Sequence, residues 1–237
     1  MKPEDNLLAA IAGYVDTLSF VALFGLFTAH VTGNFVLIGA DVAGFGQGIF
    51  MKLMAFPAFI VGVVLSSALV KVARPKGASR SAAVLYSAQA TLLLAFCVSG
   101  IGAQPVVSAV SVPVVVCGML GAAAMGVQNA HGRLIARAGV PNTVMTGNVT
   151  QAVLDAIDIV SSEVPADAKT AIRARLGKTL QAVACFSVGA IAGALAYRHV
   201  SFWALLLPFA LLVWLTFAAR RDRADTADRE VMPGSHR

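Results

Sequence analysis

Two copies of a short polar motif could bind a solute inside an otherwise apolar chain. The first copy is Thr32-Gly33-Asn34 and the second is Thr146-Gly147-Asn148, and both are called T-G-N below. Asp16 lies upstream of the first copy, and Asn129 lies upstream of the second at nearly the same distance. A carboxylate within an apolar run is costly in a bilayer and is a functional candidate by default. We therefore predict that Asp16, Asn129 and the two motifs form a substrate-binding site.

Three of the polar residues could also relay protons. Asp16 is the first candidate, His30 lies just before the first T-G-N, and His131 follows Asn129 by two positions. Imidazole is suited to proton transfer because it titrates near neutral pH. The alternative for each histidine is a local hydrogen bond near a helix end. The structural alternative for Asp16 is a hydrogen bond to a nearby hydroxyl or amide, of Thr17, Ser19 or Asn129.

The T-G-N residue types favour a break in a helix. Glycine allows backbone angles that end a helix, asparagine can satisfy the freed backbone groups, and threonine can cap a new helix. We therefore expect breaks at residues 27–34 and 141–148, each followed by a shorter, re-entrant helix. Leucine at Gly33 or Gly147 should then damage folding or activity more than alanine at Gly189 does. Gly189 belongs to a G-x-x-x-G packing motif with Gly193.

The sequence contains no motif of a known soluble enzyme class. G-x-S-x-G, H-E-x-x-H and Walker A patterns are all missing, and the three cysteines lie in apolar runs without zinc-ligand spacing. We therefore expect no catalytic residues, no metal and no cofactor, and ATP-driven pumping is disfavoured. A membrane-embedded enzyme is a weaker alternative, because no paired acid and base is found.

Composition indicates a protein of the membrane. Hydrophobic residues make up 58% of the 237 positions and charged residues 13%, against roughly 25% in soluble domains. Mean hydropathy is +0.79. A helix needs about 20 apolar residues to cross the hydrocarbon core. On this basis we predict an all-α protein whose partner is the lipid bilayer, with six crossings at residues 7–27, 53–70, 82–98, 110–129, 179–197 and 202–219.

The positive charges predict the orientation of the chain. The net charge of +6 comes from residues that cluster at the ends of apolar runs, so it is not read as a nucleic-acid signal. Lysine and arginine concentrate in residues 71–80, 133–178 and after position 220. The positive-inside rule then places both termini in the cytoplasm of a bacterial inner-membrane, multi-pass protein.

The two motifs belong to an internal repeat. Gly13 and Asp16 precede the first T-G-N, Gly126 and Asn129 precede the second, and the glycine-to-threonine separations are 19 and 20 positions. An odd number of crossings in each copy would invert the second copy relative to the first, as in many secondary transporters. We predict two inverted three-helix repeats, residues 1–110 and 111–219, followed by a polar cytoplasmic tail at 220–237.

The first-half motifs are similar to those of a known family. Residues 13–20, G-Y-V-D-T-L-S-F, and residues 27–34, F-T-A-H-V-T-G-N, resemble the YoaK-like family of bacterial inner-membrane proteins, a domain of unknown function. The resemblance extends to about residue 219. It implies a multi-spanning membrane protein and supplies neither a substrate nor catalytic residues.

These observations favour a secondary transporter of a small solute, with proton coupling left open. One alternative is a passive channel or facilitator in which Asp16 is structural. Another is a membrane scaffold or accessory subunit that transports nothing. The sequence also leaves open a homo-oligomer, and it does not identify the solute.

Overall fold

The chain is helical throughout the part that the structure describes. The computed structural model describes residues 3–135, 141 and 143–231, and in these residues the backbone forms helices and turns but no strand. Two short 3-10 helices accompany the α-helices. The α-helices are α1 Pro3–Ala22, α2 Gly33–Val42, α3 Ile49–Ala73, α4 Ala78–Gly102, α5 Val112–Leu134, α6 Met145–Val160, α7 Ala166–Val200 and α8 Leu206–Val231.

Four helical stretches of the described chain are long and apolar enough to cross a membrane. The last of them contains α7 and the part of α8 up to Arg221, and the two are separated by a 3-10 helix at Ser201–Leu205 that begins with a φ of 52° at Ser201. These stretches confirm the prediction of a helical membrane protein, while the count of six crossings stays a prediction. The stretches are Ile49–Ala73, Ala78–Gly102, Val112–Leu134 and Ala166–Arg221.

The ends of the chain differ from the predicted boundaries. Helix α1 ends at Ala22, short of the predicted end at residue 27, and it is not one of the four apolar stretches. It begins with Glu4 and Asp5 and carries Asp16, and these charges lower its hydropathy. At the other end α8 continues to Val231, well into the predicted tail. Residues 232–237 of that tail lie outside the described residues.

Helices α1 and α7 cross at glycines that leave no room for a side chain. A Cβ atom on Gly13 would overlap the carbonyl oxygen of Phe186, and one on Gly189 would overlap that of Ala10. Gly193 meets the carbonyl of Tyr14 in the same way. Small residues permit such close approach of helix backbones in lipid, where packing rather than hydrophobic burial drives association.

Helices α3 and α5 cross by the same pattern. A Cβ atom on Gly126 would overlap the carbonyl oxygen of Phe59, and one on Gly62 would overlap that of Ala123. Gly126 occupies the position in the second predicted repeat that Gly13 occupies in the first. Each half of the chain therefore supplies one partner to each of two matching crossings.

Buried polar side chains join α1, α4 and α5. The Nε2 group of Gln89 donates to Oε1 of Gln128 at 2.6 Å, and Nε2 of Gln128 donates to the carbonyl of Leu8 at 2.7 Å. Both glutamines are almost fully buried. Because an unbonded amide costs free energy in an apolar interior, this chain of hydrogen bonds fixes the relative position of the three helices.

The crossing geometry corrects our expectation for Gly189. Alanine at Gly189 should lower the apparent Tm in detergent, because its Cβ would displace the α1 backbone at Ala10. Gly177 on the same helix provides a matched control, since a Cβ there meets no atom within 4 Å. Gly177→Ala should leave the Tm unchanged or raise it slightly, as alanine favours helix. Equal effects of the two variants in thermal unfolding would contradict this interpretation.

Candidate functional site

The chain reverses direction directly after α1. Phe24 and Gly25 have φ values of 52° and 77°, in the left-handed region that ends a helix. The N–H of Gly25 donates to the carbonyl of Phe20 at 3.0 Å, which closes the helix end. The segment 23–32 then returns alongside α1, and this brings its backbone against the Asp16 side chain.

The Asp16 carboxylate binds the returning segment through both oxygens. Its Oδ1 accepts the backbone N–H groups of Thr28 and Ala29, each at 2.7 Å. Its Oδ2 lies 2.7 Å from Nδ1 of His30. The side chain of Asp16 is 4% exposed and that of His30 is 33% exposed. The structure thus brings two of the three predicted proton-relay residues into direct contact.

The contacts of Asp16 differ from the partners expected from the sequence. Ser19 donates its hydroxyl to the backbone carbonyl of Asp16 at 2.9 Å, and it lies 3.0 Å from the hydroxyl of Thr28. Neither Thr17 nor Asn129 contacts the carboxylate by any hydrogen bond in the described chain. The carboxylate instead accepts from the backbone of Thr28 and Ala29 and, at 3.4 Å, from the Thr28 hydroxyl. The sequence did not identify these partners, because the reversal of the chain after α1 brings them to Asp16.

Asn34 holds the start of the break. Its Oδ1 accepts the N–H of Phe27 at 2.9 Å, and its Nδ2 donates to the carbonyl of the same residue at 2.8 Å. The amide therefore replaces both hydrogen bonds that the Phe27 backbone loses outside a helix. This is the role that the sequence analysis gave to asparagine in T-G-N.

The glycine and threonine of the first motif have other roles than those predicted. Gly33 begins α2 without a left-handed φ, and a Cβ there would press on the ring of Phe27. Thr32 is the N-cap residue of α2 but makes no capping bond with its side chain. The break expected at residues 27–34 thus lies mainly before the motif, and a side chain at Gly33 would have to displace the Phe27 ring rather than strain the backbone.

The second half repeats the asparagine contact. Nδ2 of Asn148 donates to the carbonyl of Pro141 at 2.7 Å, across the same seven positions that separate Asn34 from Phe27. Proline has no N–H, so one hydrogen bond replaces two. Thr146 and Gly147 lie in the first turn of α6, and Gly147 has no left-handed φ, so the expected break again lies upstream of the motif. Residue 142 of this break lies outside the described residues.

Asn129 takes the place of Asp16 without its charge. Its Oδ1 accepts the hydroxyl of Thr143 at 2.7 Å, and its Nδ2 donates to the carbonyl of Met125 at 3.0 Å. His131 stacks on the ring of Tyr86, with centroids 4.9 Å apart. It therefore lies against α4, while Asn129 faces the segment before α6.

The predicted site is divided between two clusters. The first-half cluster comprises Asp16, Thr28, His30 and Asn34, and the second-half cluster comprises Asn129, Thr143 and Asn148. Among the described residues no hydrogen bond joins one cluster to the other. Each T-G-N motif therefore has its own polar cluster, and a shared substrate site between the two motifs stays a prediction. In the same part of the chain no three His, Cys, Asp or Glu side chains are placed to hold a metal ion.

An ion pair follows each cluster. Nζ of Lys52 lies 2.7 Å from Oδ2 of Asp41, and both side chains are almost fully buried between α2 and α3. Nη2 of Arg175 lies 2.6 Å from Oδ1 of Asp155, which links α6 to α7. The sequence showed an aspartate after each T-G-N, but it did not identify the cation, because the cation comes from the next helix.

Long apolar helices around buried polar centres define this chain as a multi-pass α-helical membrane protein. The chain belongs to the family described as Protein of unknown function (DUF1275), which matches residues 6–218. It is 29% identical over 223 residues to the UPF0700 transmembrane protein YoaK of Bacillus subtilis (strain 168), covering 91% of this chain and 92% of that protein. The YoaK-like resemblance is confirmed. No solved structure matches this chain.

Replacing the Asp16 carboxylate with an apolar group should destabilise the fold. Asp16→Leu strands the N–H groups of Thr28 and Ala29, and each stranded group costs about 1–3 kcal/mol. Asp16→Asn keeps an acceptor oxygen for both and is the matched control. We expect a clearly lower apparent Tm in detergent for the leucine variant than for the asparagine variant. Similar Tm values for both would show that the carboxylate does not hold this segment.

The Asp155–Arg175 pair should make stability depend on pH. The guanidinium hydrogen-bonded to Asp155 holds the pKa of that carboxyl below its usual range. A lowered pKa stabilises the fold above the usual carboxyl value of about 3.9, and this contribution is lost as pH falls below it. The Tm difference between wild type and Arg175→Gln should therefore be present at neutral pH and narrow in acid.

Arg173→Gln serves as the control for this measurement. Arg173 is exposed on the same helix, so its replacement should produce no Tm difference from wild type at either pH. A wild-type advantage over Arg175→Gln that stays constant from neutral pH to acid would contradict the assigned role of the pair.

Proposed function

We propose that this protein is a proton-coupled secondary transporter of a small solute in the bacterial inner membrane. The observation that carries the proposal is the contact between the buried Asp16 carboxylate and the partly exposed His30 imidazole. A carboxylate paired with an imidazole can bind and release a proton near neutral pH. Ionisable groups within a membrane protein commonly mark ion or substrate pathways.

Matching features in the two halves of the chain support the proposal. Each half supplies one helix to each of the two glycine crossings. Each half also has an asparagine that bonds the backbone seven positions upstream and an aspartate paired with a cation of the next helix. We infer six crossings in two inverted repeats, residues 1–110 and 111–219, with both termini in the cytoplasm. In that arrangement the Asp41–Lys52 pair lies on the periplasmic side and Asp155–Arg175 on the cytoplasmic side.

The asymmetry of the two clusters supports a single proton site. Asn129 retains the hydrogen-bonding role of Asp16 but cannot titrate, so only the first-half cluster would change charge. The solute would bind where His30 is exposed and leave when the proton does.

A passive facilitator is the second candidate function. It is favoured by the two backbone N–H groups that Asp16 accepts, because this contact gives the carboxylate a structural role without any titration. Copurification of a stoichiometric partner would instead favour a scaffold or accessory subunit.

Solute-dependent proton movement in proteoliposomes tests the proposal. A thermal-shift screen first finds solutes that raise the apparent Tm of the native protein. The full chain is then reconstituted with a pH-sensitive dye inside the vesicles, and each solute found by the screen is added outside. We expect wild type to acidify or alkalinise the lumen on solute addition. Asp16→Asn and His30→Gln should abolish this signal, since each replaces one member of the carboxylate–imidazole pair.

His199→Gln is the matched histidine control, because His199 is exposed at the end of α7 and makes no contact with either cluster. It should transport like wild type. If wild type and all variants took up solute without moving protons, the result would favour the passive facilitator over the proton-coupled transporter. If a stable Asp16→Asn variant moved protons as well as wild type does, Asp16 would have no role in proton transfer.

A further inference from the structure

A cavity of about 420 Å³ lies between α4 and α8, away from both polar clusters. The side chains of Arg80 and Arg220 form its charged wall, and three small apolar residues complete the lining. Arg80 is half-buried and Arg220 is exposed. The apolar residues are Ala83, Val84 and Ala219.

The cavity lies where two apolar helices reach the membrane surface. Arg80 is in the first turn of α4, which begins at Ala78 and is one of the apolar stretches. Arg220 directly follows Ala219, where the apolar part of α8 gives way to charged residues. Such positions lie at the level of the lipid headgroups, whichever side of the membrane they face.

In the part of the chain whose side chains the structure describes, no acidic group neutralises the two arginines of this cavity. Its lining contains no carboxylate, and among the described residues neither arginine has a hydrogen-bond or ion-pair partner. The first turn of α4 has no acidic residue and no side-chain cap, so its N–H groups add positive potential. Guanidinium groups match the geometry of phosphate oxygens by paired hydrogen bonds.

We propose that this cavity binds the phosphodiester of an anionic phospholipid. Arg80 and Arg220 contact the phosphate oxygens, and the apolar lining accommodates the glycerol and the first acyl carbons. Basic pockets between transmembrane helices bind lipid headgroups in this way. A free phosphate ion shares the charge but not the apolar part, so it would use the arginines alone. This inference is independent of the proposed transport function.

Lipid retention by the full-length protein tests the proposal. Wild type, Arg80→Gln/Arg220→Gln and the exposed control Arg173→Gln are purified in mild detergent and mixed with phosphatidylglycerol or phosphatidylcholine. Native mass spectrometry then counts retained lipids, and thermal unfolding measures stabilisation. We expect wild type and the control to retain phosphatidylglycerol more strongly and to gain a larger Tm shift from it. The double variant should lose this preference.

Several results would overturn the proposal. Equal retention of the two lipids by wild type, or an unchanged preference in the double variant, would show that the cavity does not select an anionic headgroup. A Tm shift from inorganic phosphate as large as that from phosphatidylglycerol would assign the arginines to a free anion instead. If the double variant does not fold, Arg220→Gln alone, at an exposed position, must still retain less phosphatidylglycerol than wild type.

Discussion

The structure depends on satisfying the backbone where the chain leaves a helix inside an apolar environment. An N–H group without a partner costs far more in lipid than in water, so irregular segments need internal acceptors. Asp16 meets this requirement with one carboxylate oxygen, which accepts from Thr28 and Ala29. Asn34 meets it at Phe27 with both ends of its amide. These two side chains, together with the buried Leu23 and Leu26, hold the segment before α2 and so position His30.

In the second half fewer backbone groups need a partner, which explains why Asn129 can replace a charged residue there. Pro141 has no N–H to satisfy, so the amide of Asn148 needs to bond only a carbonyl. Asn129 accepts from a threonine hydroxyl instead of from two backbone N–H groups. A neutral oxygen is sufficient there, whereas charge-assisted bonds to backbone donors are stronger and suit the more demanding first half. The replacement of aspartate by asparagine between the halves therefore follows from what each side chain must hold.

The sequence predicted the residues of the clusters better than their contacts. Paired spacing identified Asp16, Asn129 and both motifs, and composition identified the apolar helices. The contact of Asp16 with His30 depends on the reversal at Phe24, a residue whose type gives no sign of a left-handed backbone. The sensitivity of Gly189 depends on which helix crosses it, and a single sequence does not contain that information. Composition predicts that apolar helices form, whereas their ends and the partner of each side chain depend on tertiary packing.

The two oxygens of Asp16 have different partners, so the same side chain can hold the fold and carry a proton. Oδ1 is committed to backbone donors, and a proton placed on it would compete with both bonds. Under the proposed function, protons therefore arrive and leave on the side of Oδ2 and His30, while the segment stays anchored in either state. Any movement must then begin at His30, whose ring contacts Phe186 edge-on with centroids 5.4 Å apart. Phe186 lies on α7 at its crossing with α1, and the same helix carries Arg175, the partner of Asp155. Helix α7 therefore contacts the first-half cluster through Phe186 and the ion pair of the second half through Arg175.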